Sequence, residues 1–86
     1  MHTLIPKAFL AFRSLSPQGQ TVVGHMLQAG SITQREAILD HSIQSLTRRI
    51  SEIIDAGIDV LREDKKHPLT QQRYAKYSLH ASNLSN

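Results

Sequence analysis

Two clusters of side chains in this sequence have types and spacing suited to a polyanion with readable edges. The first is Gln44, Ser45, Thr47, Arg48 and Arg49. Gln and Arg each present two hydrogen-bonding groups in one plane, which match the edges of adenine and guanine, while Ser and Thr hydroxyls bond to base or phosphate. Gln44, Ser45 and Arg48 are the candidates for base edges, and Arg49 for a base or a phosphate. The second cluster is Lys65-Lys66-His67 with Arg73 shortly after. Such cations serve phosphates or a narrow groove. Each cluster has a plainer reading as well. The first could be a solvated helix face with Arg48 paired to Glu52 four residues on, an exposed pairing of about 0.3 kcal/mol. The second could be a charged turn placed for solubility.

Other chemistries are poorly served. The chain has no cysteine, which excludes a disulfide scaffold, a thiolate zinc site and a cysteine nucleophile. Its histidines, at 2, 25, 41, 67 and 80, show no metal-ligand spacing. The glycines at 19, 24, 30 and 57 form no phosphate-cradling loop, and no serine sits in a nucleophile elbow. Glu36 with Asp40, and Glu52 with Asp55, read as solvated surface pairs before they read as acid/base couples. No enzyme, metal or cofactor is expected. No apolar run reaches the roughly 18 residues of a membrane span. Met1-His2-Thr3 carries no Lys or Arg and no small-residue cleavage site follows. The expectation is a cytoplasmic protein away from the membrane.

The elements that must position these side chains follow from local signals. At 86 residues, 40% hydrophobic and 20% charged, the chain supports one domain that buries roughly 60% of its unfolded surface. Ser16-Pro17 is a helix start, with a capping hydroxyl and a proline where no N–H is needed. Val22, Val23, Met26 and Leu27 give that helix an apolar stripe, and Gly30 stops it. Thr33 with Glu36 forms a capping box for a short second helix over about 34–40 that buries Ala37 and Ile38. A third helix begins near Ser42 or Gln44, turns Ile43, Leu46, Ile50, Ile53 and Ile54 inward, and closes at Gly57. Beyond Gly57 the period falls to two. Ile58, Val60 and Arg62 share one strand face, 64–69 is a polar turn, and 72–79 returns as an antiparallel partner. Tyr77 and Leu79 are expected to pack on the core, with Tyr74 more exposed.

Three helices and a hairpin, mainly α with a small β-hairpin, are the parts of a winged helix-turn-helix, in which the second helix props the third so that its polar face can enter a major groove. Over residues 20–79 the sequence resembles a family of small winged helix-turn-helix domains common in phage and prophage proteins. The resemblance lies in Ala29-Gly30-Ser31-Ile32-Thr33, Leu46-Thr47-Arg48-Arg49-Ile50-Ser51-Glu52-Ile53, Ala56-Gly57-Ile58 and Arg73-Tyr74-Ala75-Lys76-Tyr77-Ser78-Leu79. Where many relatives carry Gly before the third helix, this chain has Ser42. The resemblance implies a three-helix core plus wing, and double-stranded DNA as the partner. On this frame residues 1–15 are an extra N-terminal helical segment, 16–79 the winged domain and 80–86 a flexible tail.

The net charge of +3 is unevenly placed. Residues 1–16 carry +2; 17–63 carry −2, with four arginines against six acids; 64–86 carry +3. The basic excess therefore lies at the N-terminal segment and the hairpin. That segment sets Leu4, Ile5, Ala8, Phe9 and Phe12 at helical spacing. It either packs on its own first helix or makes a homodimer through Ile5, Phe9 and Phe12. The expected function is sequence-specific DNA binding, as a small transcriptional regulator or recombination-directionality factor. The acidic centre keeps a second reading open, a winged-helix module that binds a host or phage protein.

Overall fold

A computed structural model describes residues 3–85; Met1, His2 and Asn86, the last residue of the expected tail, lie outside the described residues. The capping signals act where their chemistry places them. Ser16 accepts from the Gly19 N–H and Pro17 opens α2, Pro17–Ala29, which ends at Gly30 in the left-handed region with φ 89°. Thr33 and Glu36 exchange side-chain and backbone hydrogen bonds in a full capping box for α3, Gln34–His41. Before these, β1 (Thr3–Leu4) leads into α1 (Pro6–Arg13), and between them lies β2 (Ile32–Thr33). After them come α4 (Leu46–Asp55), β3 (Val60–Lys66), β4 (Arg73–Leu79), a single helical turn over Ala81–Asn83 and β5 (Leu84–Ser85).

The core collects one face of each element. Val22, Val23 and Met26 come from α2, Ala37 from α3, and Leu46, Ile50 and Ile53 from α4, closed by Ile32, Ile43, Ile58 and Tyr77. Burying each large side chain contributes about 1.5–3 kcal/mol before conformational entropy is set against it. Two antiparallel sheets frame this core. One has the strand order β2-β4-β3; the other pairs β1 with β5. Ile32 stands opposite Tyr77, and Lys66 opposite Arg73. The hairpin β3–β4 thus starts on the core at Val60 and Tyr77 and runs outward from it.

Several expectations need correction. Ile38 is 42% exposed rather than buried, because Ala37 takes the inward position of the short α3. The helix after it starts at Leu46, not near Ser42 or Gln44. Ser42 adopts φ 56° at the end of α3, and Ile43 then drops into the core as a turn residue. Ile54 is half exposed, since Ile50 and Ile53 already fill the face toward α2. Ile58 precedes the strand: Gly57, with φ 106°, lets the Ile58 N–H reach back to Ile53 and the Gly57 N–H to Ile54.

The hairpin turn sits farther along than the sequence suggested, at residues 67–72, so Lys65 and Lys66 are strand residues. The His67 N–H pairs with the Gln72 carbonyl at 2.8 Å, one step beyond the Lys66–Arg73 pair, and Pro68, which has no N–H to donate, follows in the turn.

Residues 80–85, expected as a frayed polar tail, are folded. Asn83 is buried at 4% exposure and donates to the carbonyls of Asp59 and His80 while accepting from the Asp59 N–H. Its own carbonyl takes the Ile5 N–H at 2.9 Å. One residue, through its side-chain amide on one side and its backbone carbonyl on the other, therefore ties the turn after α4 to the N-terminal segment.

α1 rests on α2 through Ala8, Ala11 and Phe12. Phe9 and Leu10 point away from the core, at 49% and 67% exposure. Two of the dispersed histidines meet in space: His25 Nδ1 of α2 lies 2.9 Å from His41 Nε2 at the end of α3.

Candidate nucleic-acid interface

The turn between α3 and α4 is held by a side chain that sequence reasoning passed over. Gln34 Nε2 donates to the Ile43 carbonyl at 3.1 Å, and Gln34 Oε1 accepts from the Leu46 N–H at 2.9 Å. The second bond satisfies one of the orphan donors at the start of α4, where Ser45 makes no side-chain cap. A glutamine at the first helical position, in reach of a turn nine residues on, is the only sequence signal, and it identifies itself only once the fold is known.

Gln44 and Ser45 are exposed, but in this turn rather than on the helix. Thr47 and Arg48 lie exposed on the first turn of α4, with Ser51 on the next. Arg48 makes no ion pair among the described residues, so the pairing with Glu52 that belonged to the plainer reading does not form. Glu52 is drawn toward α2 instead. Ser16 donates its backbone N–H to Glu52 Oε2 and its hydroxyl to Oε1, both at 2.8 Å. Arg49, on the same flank, lies 3.4 Å from Glu52 Oε1 and 3.3 Å from Ser16 Oγ. The two arginines are thereby separated in environment: Arg48 is turned to solvent, while Arg49 is half-buried in a link between α2 and α4.

The backbone and side-chain hydrogen bonds from Ser16 hold the Glu52 carboxyl below its ordinary value; burial opposes them and Arg49 adds to them. Gly19 makes the close approach of α2 and α4 possible. A methyl group there would stand 3.0 Å from Glu52 Oε1 and 3.2 Å from the Leu15 Cβ.

On the hairpin, Lys65 is paired with Glu63 at 3.2 Å and Arg62 with Asp64 at 3.2 Å. Lys66 and Arg73 are exposed and face one another across the strands just below the turn. His67 turns its ring into the hairpin turn. Its Nδ1 accepts the N–H groups of Leu69 and Thr70, so the imidazole organises the turn. Inward from there, a cleft of about 430 Å³ opens between the first turn of α3 and β4, with Arg35, Arg73, Lys76 and Tyr74 among its lining. Arg35 and Lys76 are further cations that the sequence clusters did not include; their neighbourhood depends on β2 pairing with β4.

No group of three or more His, Cys, Asp or Glu side chains among the described residues is arranged to hold a metal ion. No helix among them is long and apolar enough to cross a membrane. A family model described as a winged helix-turn-helix domain matches residues 17–82. Neither the curated proteins nor the solved structures searched contain a match.

Proposed function

Because this chain belongs to the winged helix-turn-helix domain family, we propose that it binds double-stranded DNA sequence-specifically, as a small transcriptional regulator or recombination-directionality factor of phage or prophage type. The observation that carries the reading is the contrast between Arg48 and Arg49. Arg49 is spent on Glu52 and Ser16, whereas Arg48, with Thr47, stands exposed on the first turn of α4 and makes no ion pair among the described residues. Contacts to base edges come mostly from the N-terminal part of such a helix. Gln44 and Ser45 reach the groove from the preceding turn, and Lys66 and Arg73 hold flanking phosphates. Binding of a random duplex pool followed by enrichment tests this. Recovery of one motif supports it, and recovery of none at low salt refutes it.

Two observations favour particular extensions. Phe9 and Leu10 of α1 are exposed and apolar, which supports a homodimer through the α1 face while Phe12 stays with its own core. A palindromic motif would accompany it. The second reading, a module that binds a protein partner, draws on Leu39, 70% exposed on α3, and on the −2 charge of residues 17–63. Capture from lysate with and without nuclease separates DNA from protein as the partner.

A further inference from the structure

The turn of the hairpin carries Leu69, at 86% exposure the most exposed large hydrophobic side chain among the described residues. An exposed leucine is by itself unremarkable, but this one is set on a rigid mount. The His67 N–H donates to the Gln72 carbonyl and the Gln71 N–H to the His67 carbonyl, while the Leu69 and Thr70 N–H groups share His67 Nδ1. Gln71 Nε2 donates to the Pro68 carbonyl and the Gln72 N–H to Thr70 Oγ1. Gln71 is held at φ 63°, a region a non-glycine residue keeps only when its surroundings fix it. A side chain presented on so constrained a turn loses little further backbone freedom on binding.

The surroundings of Leu69 specify the partner. The acids of β3 are neutralised internally, Asp64 by Arg62 and Glu63 by Lys65. Lys66 and Arg73, opposite each other directly beneath the turn, make no ion pair among the described residues. An apolar point above a cationic collar is complementary to a groove with an apolar floor of stacked bases and two rims of phosphate. Apolar wedges of Leu and Pro inserted between base steps from the minor groove unstack them and kink the duplex. The seven residues of β3 span roughly 23 Å at strand rise, enough to carry the turn well out from the core.

We infer that Leu69, with Pro68 beside it, is a minor-groove wedge that inserts between adjacent base pairs and bends the bound DNA. This rests on the DNA-binding reading above. It extends that reading from contact to deformation, and it adds specificity at a step no polar side chain reads. Pyrimidine–purine steps, which unstack most easily, are the expected insertion point.

The test uses a duplex recovered by enrichment, dye-labelled at both ends and carrying a fluorescent adenine analogue in the flanking sequence. Wild-type protein is compared with Leu69→Ala and Leu69→Met. Leu69 is 86% exposed and not part of the hydrophobic core, so both variants should retain the fold, which circular dichroism verifies. Wild type and Leu69→Met should shorten the end-to-end distance and brighten the analogue. Leu69→Ala should bind within about tenfold of wild type and lose both signals. Wild type that binds yet leaves the duplex straight, or Leu69→Ala that bends it equally, overturns the wedge alone. Wild type that binds no duplex at all overturns the DNA reading and the wedge together.

Discussion

The hydroxyl of Ser16 donates to Glu52 Oε1 at 2.8 Å while accepting the Gly19 N–H at 3.2 Å. The residue that starts α2 is therefore also the one that anchors α4. Since Glu52 in turn holds Arg49, the orientation of α4 is tied to the first turn of α2 and not only to apolar packing.

A pH dependence follows, with its sign set by Glu52. The folded protein holds this carboxyl below its ordinary value, so the unfolded chain takes up the proton first as pH falls. The stabilisation is complete above the ordinary glutamate range and is lost as pH drops through the lower, folded value. Thermal unfolding followed from pH 7 downward should show wild type losing Tm relative to Glu52→Gln below about pH 5. Parallel curves for the two proteins would show that the carboxylate adds nothing.

Arg48 and Arg49 should separate cleanly on substitution. Arg48→Ala should leave Tm within about 4 °C, because an exposed side chain with no ion pair among the described residues contributes about 0.5 kcal/mol or less, yet cost about 1–3 kcal/mol of DNA affinity. Arg49→Ala should lower stability through the loss of its contacts with Glu52 and Ser16. Calorimetry and anisotropy titration on the same preparations check both halves. Equal DNA losses with equal stabilities would mean that the two arginines play the same part.

Gln34→Leu removes both bonds across the turn and leaves the Leu46 N–H and the Ile43 carbonyl without that partner. The expected cost is about 1–3 kcal/mol in chemical denaturation. Hydrogen exchange at Leu46 should accelerate with it, while exchange at Val22 and Val23 follows only the global change.

Lys66→Ala should weaken binding to every duplex by a similar factor and reduce the steepness of the salt dependence by about one unit. Lys65, already paired with Glu63 at 3.2 Å, should give a smaller change on the same substitution. A sequence-dependent loss at Lys66 would instead place this side chain on a base edge.

Much of the fold was written in short-range signals. Ser16-Pro17, Thr33 with Glu36, Gly30 and Gly57 each act through bonds to residues within five positions, and a linear reading finds such bonds. What it missed depends on distant partners. Ile32–Thr33 are a strand only because β4 lies beside them. Asn83 looked like a tail residue because its acceptors, apart from His80, are on Asp59. The extent of the hairpin hinged on His67, whose ring replaces a backbone partner in the turn. In the candidate site, Thr47 and Arg48 were legible as an outward helical face, whereas the fate of Arg49, on the flank of that face, depends on Glu52 and on Ser16, which lies 33 positions away.

The pairing of β1 with β5 has a consequence in time. Thr3 and Leu4 align with Ser85 and Leu84, and the Ile5 N–H needs the carbonyl of Asn83. On a ribosome the first of these strands is made seconds before the last, at roughly 5–20 residues per second. Until then α1, with Phe9 and Leu10 outermost, has its apolar contacts with α2 but no strand to fasten its entry. α1 is thus fastened at its entry only once β5 has been made. For that interval its apolar face is open to whatever else in the cell can cover it.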